Sequence, residues 1–288
     1  MAGAPASVRQ HESVTHAVDE DRLAALAGLV AAGGVAILSG AGLSTESGIP
    51  DYRGPTGLAR RAQPMTYQTF TGSAAARQRY WARSYLGWGQ VARAEPNSGH
   101  LAVAELERRG QLTGIITQNV DGLHQAAGAR QVTELHGSLS RVRCLGCGQR
   151  TPRAGLDERL REANPGWDEL PGQLNPDGDA FLPDGAEERF QVVDCTACGG
   201  VLKPDVIFFG ENVPRARVDG CYQLVTGSRG LIVLGSSLTV MSGYRFVRHA
   251  AKLGLPVVIV NRGPTRGDPD ALFTVDAPLG RTLSALIG

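Results

Sequence analysis

Short apolar runs that stop at glycine or a small polar residue set the rhythm of this chain. The run over residues 35–39 follows Gly33-Gly34 and predicts a buried parallel strand, which ends in Gly40-Ala41-Gly42-Leu43-Ser44. Four more runs behave alike. Residues 112–117 lead into Gln118-Asn119-Val120-Asp121-Gly122, and 132–135 into His136-Gly137. Residues 230–234 lead into Gly235-Ser236-Ser237, and 257–260 into Asn261-Arg262-Gly263. Five strands with such endings predict an α/β fold: a Rossmann-like parallel sheet with helices on both faces and a ligand crevice outside the carboxyl ends.

Helical periodicity fills the intervals. Leu23, Leu26, Ala27 and Val30 recur at helical spacing behind acidic Asp19, Glu20 and Asp21, and Pro96-Asn97-Ser98 opens a second helix that Gly110 ends. Residues 55–95 form an irregular helical subdomain, whose Tyr80, Trp81, Tyr85 and Trp88 give an aromatic face that serves either as a core or as a lid over a ligand. Residues 139–203 break the alternation. Here Cys144-Leu145-Gly146-Cys147 and Cys195-Thr196-Ala197-Cys198 each precede a glycine. Two such knuckles place four thiolates around one tetrahedral ion, so a structural Zn²⁺ with no open coordination position is expected at Cys144, Cys147, Cys195 and Cys198. Redox dithiols are the competing reading, but these come singly. Cys221 stands apart as a core thiol.

Between the knuckles, residues 164–190 read as a loop, either functional or disordered. After them, residues 206–209 predict a strand with a partly open edge, so that Phe209, Gly210 and Glu211 become candidates for pairing with an extended peptide. The domain plan that results is a leader over 1–18, a Rossmann-like unit over 19–138 and 204–288, and a zinc module over 139–203.

Composition narrows the function classes. With 288 residues, 42% hydrophobic, 20% charged and a net charge of +1, the chain has no basic excess that would suit nucleic acid. No apolar run reaches the ~18 residues that span a membrane. The leader carries Glu12, is followed by Asp19 and Glu20, and lacks an apolar signal core, which points to the cytoplasm. A monomer is expected.

The residue types leave chemistry open at two places. Gly40-x-Gly42 after a strand is an ordinary tight turn or a diphosphate cradle that uses its exposed N–H groups. His136 is a buried structural histidine or a general base. A dehydrogenase is disfavoured, because Thr45 stands where the dinucleotide fingerprint needs its third glycine and no later strand ends in a matching acid.

From about Leu23 onward these motifs, in this order, closely resemble the sirtuins, NAD-dependent protein lysine deacylases: Gly-Ala-Gly-x-Ser, Ile49-Pro50-Asp51-x-Arg53, Thr117-Gln118-Asn119-x-Asp121, Leu135-His136-Gly137, both knuckles, Lys203-Pro204 through Glu211, Gly235-Ser236-Ser237 and Asn261. The resemblance is greatest to class II, the branch of sirtuin 4. It rests on Asp51-Tyr52-Arg53, Arg77-Gln78-Arg79-Tyr80-Trp81-Ala82-Arg83, Pro176-Asp177-Gly178-Asp179, Ser242-Gly243-Tyr244-Arg245-Phe246 and the long 164–190 loop.

The resemblance implies transfer of an acyl group from a protein lysine to ADP-ribose, with release of nicotinamide and 2′-O-acyl-ADP-ribose. It makes His136 the general base toward a ribose hydroxyl and puts Asn119 and Asp121 at the nicotinamide and its ribose, with Gln118 and Val120 beside them. It also puts Gly40, Ala41, Gly42, Ser44, Asp51, Tyr52 and Arg53 around the cofactor loop and Gly235, Ser236 and Ser237 near the phosphates. Asn261, Arg262, Gly263 and the backbone near Leu279 would run along the adenosine. Protein mono-ADP-ribosylation is the alternative, and a catalytically weak NAD-sensing scaffold a more distant one. Leu58-Ala59-Arg60-Arg61 lacks the tyrosine of the Tyr-x-x-Arg pair that selects acidic acyl groups.

Overall fold

The computed structural model describes residues 20–52, 64–170, 173–175, 177–182 and 185–288. The leader, Arg53 and residues 58–61 lie outside that set. Helix α1 (Glu20–Ala31) stops at Gly33 and Gly34, whose φ angles of 73° and 72° turn the chain into β1 (Val35–Ser39). Helices α2 (Tyr67–Gly72), α3 (Ala74–Val91) and α4 (Ser98–Arg108) precede β2 (Leu112–Thr117), α5 (Leu123–Ala126) and β3 (Val132–Glu134). The middle of the chain holds β4 (Gly137–Cys144), β5 (Arg150–Pro152), α6 (Arg153–Ala163), β6 (Gln173–Leu174), β7 (Ala180–Phe181) and β8 (Leu202–Val206). It ends with α7 (Arg215–Thr226), β9 (Gly230–Leu234), α8 (Met241–Lys252), β10 (Val257–Val260), β11 (Phe273–Val275) and α9 (Leu279–Ser284).

Six parallel strands form the main sheet in the order β11-β10-β9-β1-β2-β3. Five of them are the five apolar runs of the sequence. β11 was not foreseen, because three residues at an edge carry no readable period. All of β1 is buried, and its side chains alternate between two helical layers. Val35 and Ile37 pack with Leu26 of α1, Val103 of α4 and Leu283 of α9, whereas Ala36 and Leu38 pack with Val225 of α7 and Phe246 of α8. Each fully buried Val, Leu or Ile contributes roughly 1.5–3 kcal/mol, so this alternation holds the register. Asn97 starts α4 as a cap. Its Oδ1 accepts from Gly99 N at 2.9 Å and His100 N at 3.2 Å, while its Nδ2 donates to Leu43 O at 2.7 Å and ties the helix to the turn after β1.

A smaller lobe is built on an antiparallel sheet, β5-β4-β8. Tyr80, Trp81 and Tyr85 of α3 bury themselves with Val142 of β4, Leu156 of α6, Trp167 and Phe190 in one core. The aromatic face therefore serves as core, and the helical and cysteine-bearing segments share it. Two expectations need correction. The strand expected over 206–209 lies earlier, at Leu202–Val206. Val206 pairs with Gly137 and gives its carbonyl to Lys203 Nζ, which turns the chain, and Phe209 then bridges only to Thr66. The 164–190 stretch is not simply a loop either, since Trp167 and Phe190 are core residues and β6 pairs with β7.

Candidate active site

A cavity of about 430 Å³ opens outside the carboxyl ends of β1, β2 and β9, the position that an open parallel sheet reserves for a ligand. Gly40, Ala41, Gly42, Ser44, Asp51 and Tyr52 line it from the chain after β1. Gln118, Asn119, Val120 and Asp121 enter after β2, and His136 after β3. Gly235, Ser236 and Ser237 come from the end of β9, Asn261 and Arg262 from the end of β10, and Phe209, Gly210 and Glu211 from the turn beyond β8. Residues far apart in sequence converge because parallel strands bring like ends to one edge.

The polar groups are linked. Asn119 Nδ2 donates to Gly40 O at 3.1 Å and to Ser44 Oγ at 3.0 Å, and Ser44 Oγ donates onward to Asp121 Oδ2 at 2.7 Å. Asp121 Oδ1 accepts from Leu123 N at 2.9 Å. Burial raises the Asp121 carboxyl above its ordinary range, against the pull of these two bonds. His136 Nδ1 donates to Gln118 O at 2.9 Å, because a carbonyl only accepts; the ring is thus the tautomer whose Nε2 carries the lone pair. Burial lowers its pKa, so the imidazole is neutral and basic at neutral pH. Lys203 Nζ of β8 meets Glu211 Oε2 at 3.0 Å, and that oxygen also accepts from Phe208 N at 3.0 Å, which fixes the turn that presents Phe209 and Gly210.

Some expectations change. The N–H groups of Gly40 and Gly42 are already engaged, donating to Leu234 O at 2.9 Å and Gly235 O at 2.8 Å. These glycines are required by packing: a Cβ on Gly40 would lie 2.7 Å from Ser236 Cβ, and one on Gly42 2.8 Å from Gly235 O. Leu279 is buried behind Gly235 and does not line the cavity, and neither does Gly263, which faces Asp276 and the Asn261 amide. Arg53 falls outside the described residues. Other lining residues went unassigned. Ser242 and Arg245 at the start of α8, and apolar Ile49, Met65 and Phe208, reach the cavity through tertiary packing. Of these only Met65 lay outside the motifs quoted from the sequence; the others were in them without a role assigned.

The four knuckle thiols lie within 4.8 Å of one another, with Cys144 Sγ 3.5 Å from Cys198 Sγ and Cys147 Sγ 3.9 Å from Cys195 Sγ. Sulfurs at ~2.3 Å from a tetrahedral Zn²⁺ stand about 3.8 Å apart, so the set fits one structural zinc ion. Gly148 and Gly199 take the positive φ, 74° and 67°, that each knuckle needs. The amides of Gly146 and Cys147 point at Cys144 Sγ, at 3.3 Å and 3.5 Å, as they would toward a metal-binding thiolate. Cys221, by contrast, is buried among apolar side chains that push its thiol up to about 11.

Known proteins match this arrangement. The "NAD-dependent protein deacetylase 1" of Streptomyces coelicolor is 61% identical over 264 residues, covering 92% of this chain and 88% of that protein. A protein of the same name from Mycobacterium avium is 52% identical and covers 88% of this chain and 90% of its own length. Among solved structures, a Sir2–p53 peptide–NAD+ complex aligns with a TM-score of 0.72 at 27% identity, covering 91% of this chain and 96% of that one. Another, solved for the mechanism and regulation of Sir2 enzymes, reaches 0.74 at 30% identity, over 93% of this chain and 97% of that one. A family model described as the Sir2 family matches residues 40–242, a span that holds most of the cavity lining and all four knuckle cysteines, and the chain belongs to the Sir2 family.

Proposed function

We propose that this chain is an NAD-dependent protein lysine deacetylase, which moves the acyl group of an acyl-lysine to the ADP-ribose part of NAD and releases nicotinamide and 2′-O-acyl-ADP-ribose. The observation that carries this reading is a neutral His136 whose lone-pair nitrogen, Nε2, belongs to the same cavity as the Asn119–Ser44–Asp121 chain. NAD supplies an electrophilic ribose carbon and a leaving group. The chain supplies the rest. Asn119 and Asp121 orient the nicotinamide end, Gln118 steadies the ribose, and Ser236 and Ser237 face the phosphates. His136 Nε2 takes the proton of a ribose hydroxyl. The turn Phe209-Gly210-Glu211, held by Lys203, receives the substrate backbone, and the exposed pair of Phe209 and Tyr52, with ring centroids 6.2 Å apart, flanks the entrance.

Mono-ADP-ribosylation would use the same cavity with a different nucleophile, but the similar proteins are named deacetylases, and the deacetylase reading stands over it. The scaffold reading fails on the intact base. We place the chain in class II. Two of the segments behind that assignment meet in space: Arg83 Nη2 donates to Asp179 Oδ1 at 3.2 Å and Arg83 Nε to Ala180 O at 3.0 Å. Asp177 and Gly178 line the cavity, which supports a role for the 164–190 segment in selecting the acyl group. Free thiols poised for zinc suit a reducing compartment, in keeping with the cytoplasm. Residues 19–138 and 204–288 would then hold NAD, with 139–203 as the zinc module.

Mass spectrometry of products formed from NAD and lysine peptides carrying acetyl, longer aliphatic, acidic and lipoyl groups tests the reading. Acyl-ADP-ribose is expected, with the yield falling about 10²–10⁴-fold in His136→Ala while the circular dichroism spectrum stays unchanged. ADP-ribose attached to protein with no acyl-ADP-ribose would overturn it.

A further inference from the structure

The segment Ser242-Gly243-Tyr244-Arg245-Phe246 opens α8 directly above the general base. Ser242 Oγ lies 2.8 Å from His136 Nε2. Since Nδ1 holds the ring proton against Gln118 O, Nε2 can only accept, and the serine hydroxyl is the donor. The neighbours of Ser242 explain why it sits there. A Cβ on Gly243 would come 2.5 Å from Gln118 Oε1, so a larger residue there would push the Gln118 amide aside where the first turn of α8 meets the chain after β2. Tyr244 Oη donates to Asp270 Oδ2 at 2.6 Å, and the Arg266 guanidinium lies 4.7 Å from the Tyr244 ring centroid. Phe246, fully buried, anchors the turn from below. Tyr244 and Phe246, held by partners outside the segment, thus fix the place of one hydroxyl.

We propose that Ser242 is a positioning residue for proton transfer: its hydroxyl holds the Nε2 lone pair of His136 in the ligand-free enzyme and yields it to the ribose hydroxyl when NAD binds. This rests on the reading of His136 as the general base. A donor at Nε2 stabilises the neutral ring and keeps its plane turned toward the cavity. It also keeps the base from being protonated before the substrate arrives. The charged groups that face the ring are Arg217 of α7, whose Nη1 donates to Leu135 O at 3.0 Å, and Arg245 of α8. Both oppose protonation of the imidazole, as burial does, while the Gln118 carbonyl favours it. Ser242 adds the one directional contact that a substrate hydroxyl can replace atom for atom. No bond is made or broken by the serine itself.

The test compares Ser242→Ala and Ser242→Thr with the unaltered enzyme in two ways. The first is an NMR titration of histidine-labelled, ligand-free protein, with His136→Ala to assign the resonance. The second is the pH dependence of kcat and of kcat/KM for NAD at saturating acetyl-lysine peptide. Loss of a neutral hydrogen bond to the unprotonated ring should raise the titration midpoint in Ser242→Ala by about half a pH unit. The acid limb of kcat/KM, which reports the enzyme before NAD binds, should move up with it. The acid limb of kcat should stay, because the ribose hydroxyl has taken the place of the serine. Threonine should restore both. An unmoved midpoint in Ser242→Ala, or equal displacement of both limbs, overturns the proposal. If the unaltered enzyme makes no acyl-ADP-ribose at all, the functional reading fails, and the NMR midpoint still decides whether Ser242 governs His136.

Discussion

The parallel sheet and the smaller antiparallel lobe bury their cores with different chemistry. In the sheet half, Val35, Ile37, Ile115, Ile232 and Val258 are wholly aliphatic contacts repeated strand after strand, and many of the buried polar groups gather near the carboxyl ends of β1 and β2. The lobe is held by individual devices. Arg153 is completely buried, with its guanidinium 5.1 Å from the Trp81 ring centroid and 5.5 Å from that of Trp88, and it donates to Ser84 Oγ at 3.0 Å and Ser84 O at 3.1 Å. Arg83 meets Asp179 at 3.1 Å, Lys203 meets Glu211, and four thiols close the outer end. Strands as short as β5, β6 and β7 supply little apolar surface and few ladder bonds. Small units in that position rely on staples. Stability in the sheet is spread over many equivalent contacts, whereas in the lobe it is concentrated in a few that can be removed one at a time.

The largest break in this contrast should come from the metal. Structural zinc contributes about 10–16 kcal/mol in small zinc-bound folds, so chelation or Cys195→Ser should unfold the lobe and leave the sheet standing. All three tryptophans, Trp81, Trp88 and Trp167, pack in the lobe core, so their fluorescence reports on it alone. A red-shifted emission with most of the far-ultraviolet dichroism retained is expected; unchanged emission after stoichiometric loss of zinc would contradict the division.

A smaller effect is expected from Arg153→Ala, which strands half-buried Asp157 and opens a void beside Trp81. Breaking such a buried pair costs about 3–5 kcal/mol, and Arg153→Met, which keeps the volume, should cost less. Urea titrations followed by tryptophan emission measure both.

The smallest of the three concerns two histidines under the sheet's active edge. Ser39 Oγ lies 2.8 Å from both Thr117 Oγ1 and His124 Nε2, and the His124 and His100 rings pack edge to face with centroids 5.2 Å apart. Burial pushes His100 down to about 4 and His124 to about 3, against the usual value near 6.5 in an unfolded chain. Between those values and 6.5 the unfolded state binds more protons. Stability therefore falls as the pH falls from about 6.5 toward 4, by about 1.4 kcal/mol per pH unit for each ring. His100→Gln should flatten the pH dependence of unfolding free energy by that slope over this window, and an unaltered slope would show that the ring is not held neutral.

Much of the fold could be read locally. Runs such as 230–234 and 257–260 are buried on both faces, so their hydrophobicity is continuous and their ends are sharp. The knuckles were legible because a metal site needs its ligands at short, fixed spacing. Readings failed where a partner from elsewhere decides the outcome. Gly40-x-Gly42 left a tight turn and a phosphate cradle open, and the contacts of their amides and missing side chains with the turn after β9 come from another part of the chain. Residues 206–209 look like a strand until Lys203 is seen to take the Val206 carbonyl. Trp167 and Phe190 lie in a stretch of proline and glycine whose local character hides their burial.

By itself the sequence determined most of the strand ends and the four clustered cysteines and singled out His136 as the candidate base, because each is a matter of residue type within a few positions. Tertiary structure alone decided which hydroxyl holds the base. Ser242 and His136 are separated by 106 residues, and only the packing of α8 against the chain after β2 and β3 brings them to 2.8 Å. Hydrogen-bond direction and burial are properties of the packed neighbourhood, and no local pattern encodes a neighbour that arrives from another strand.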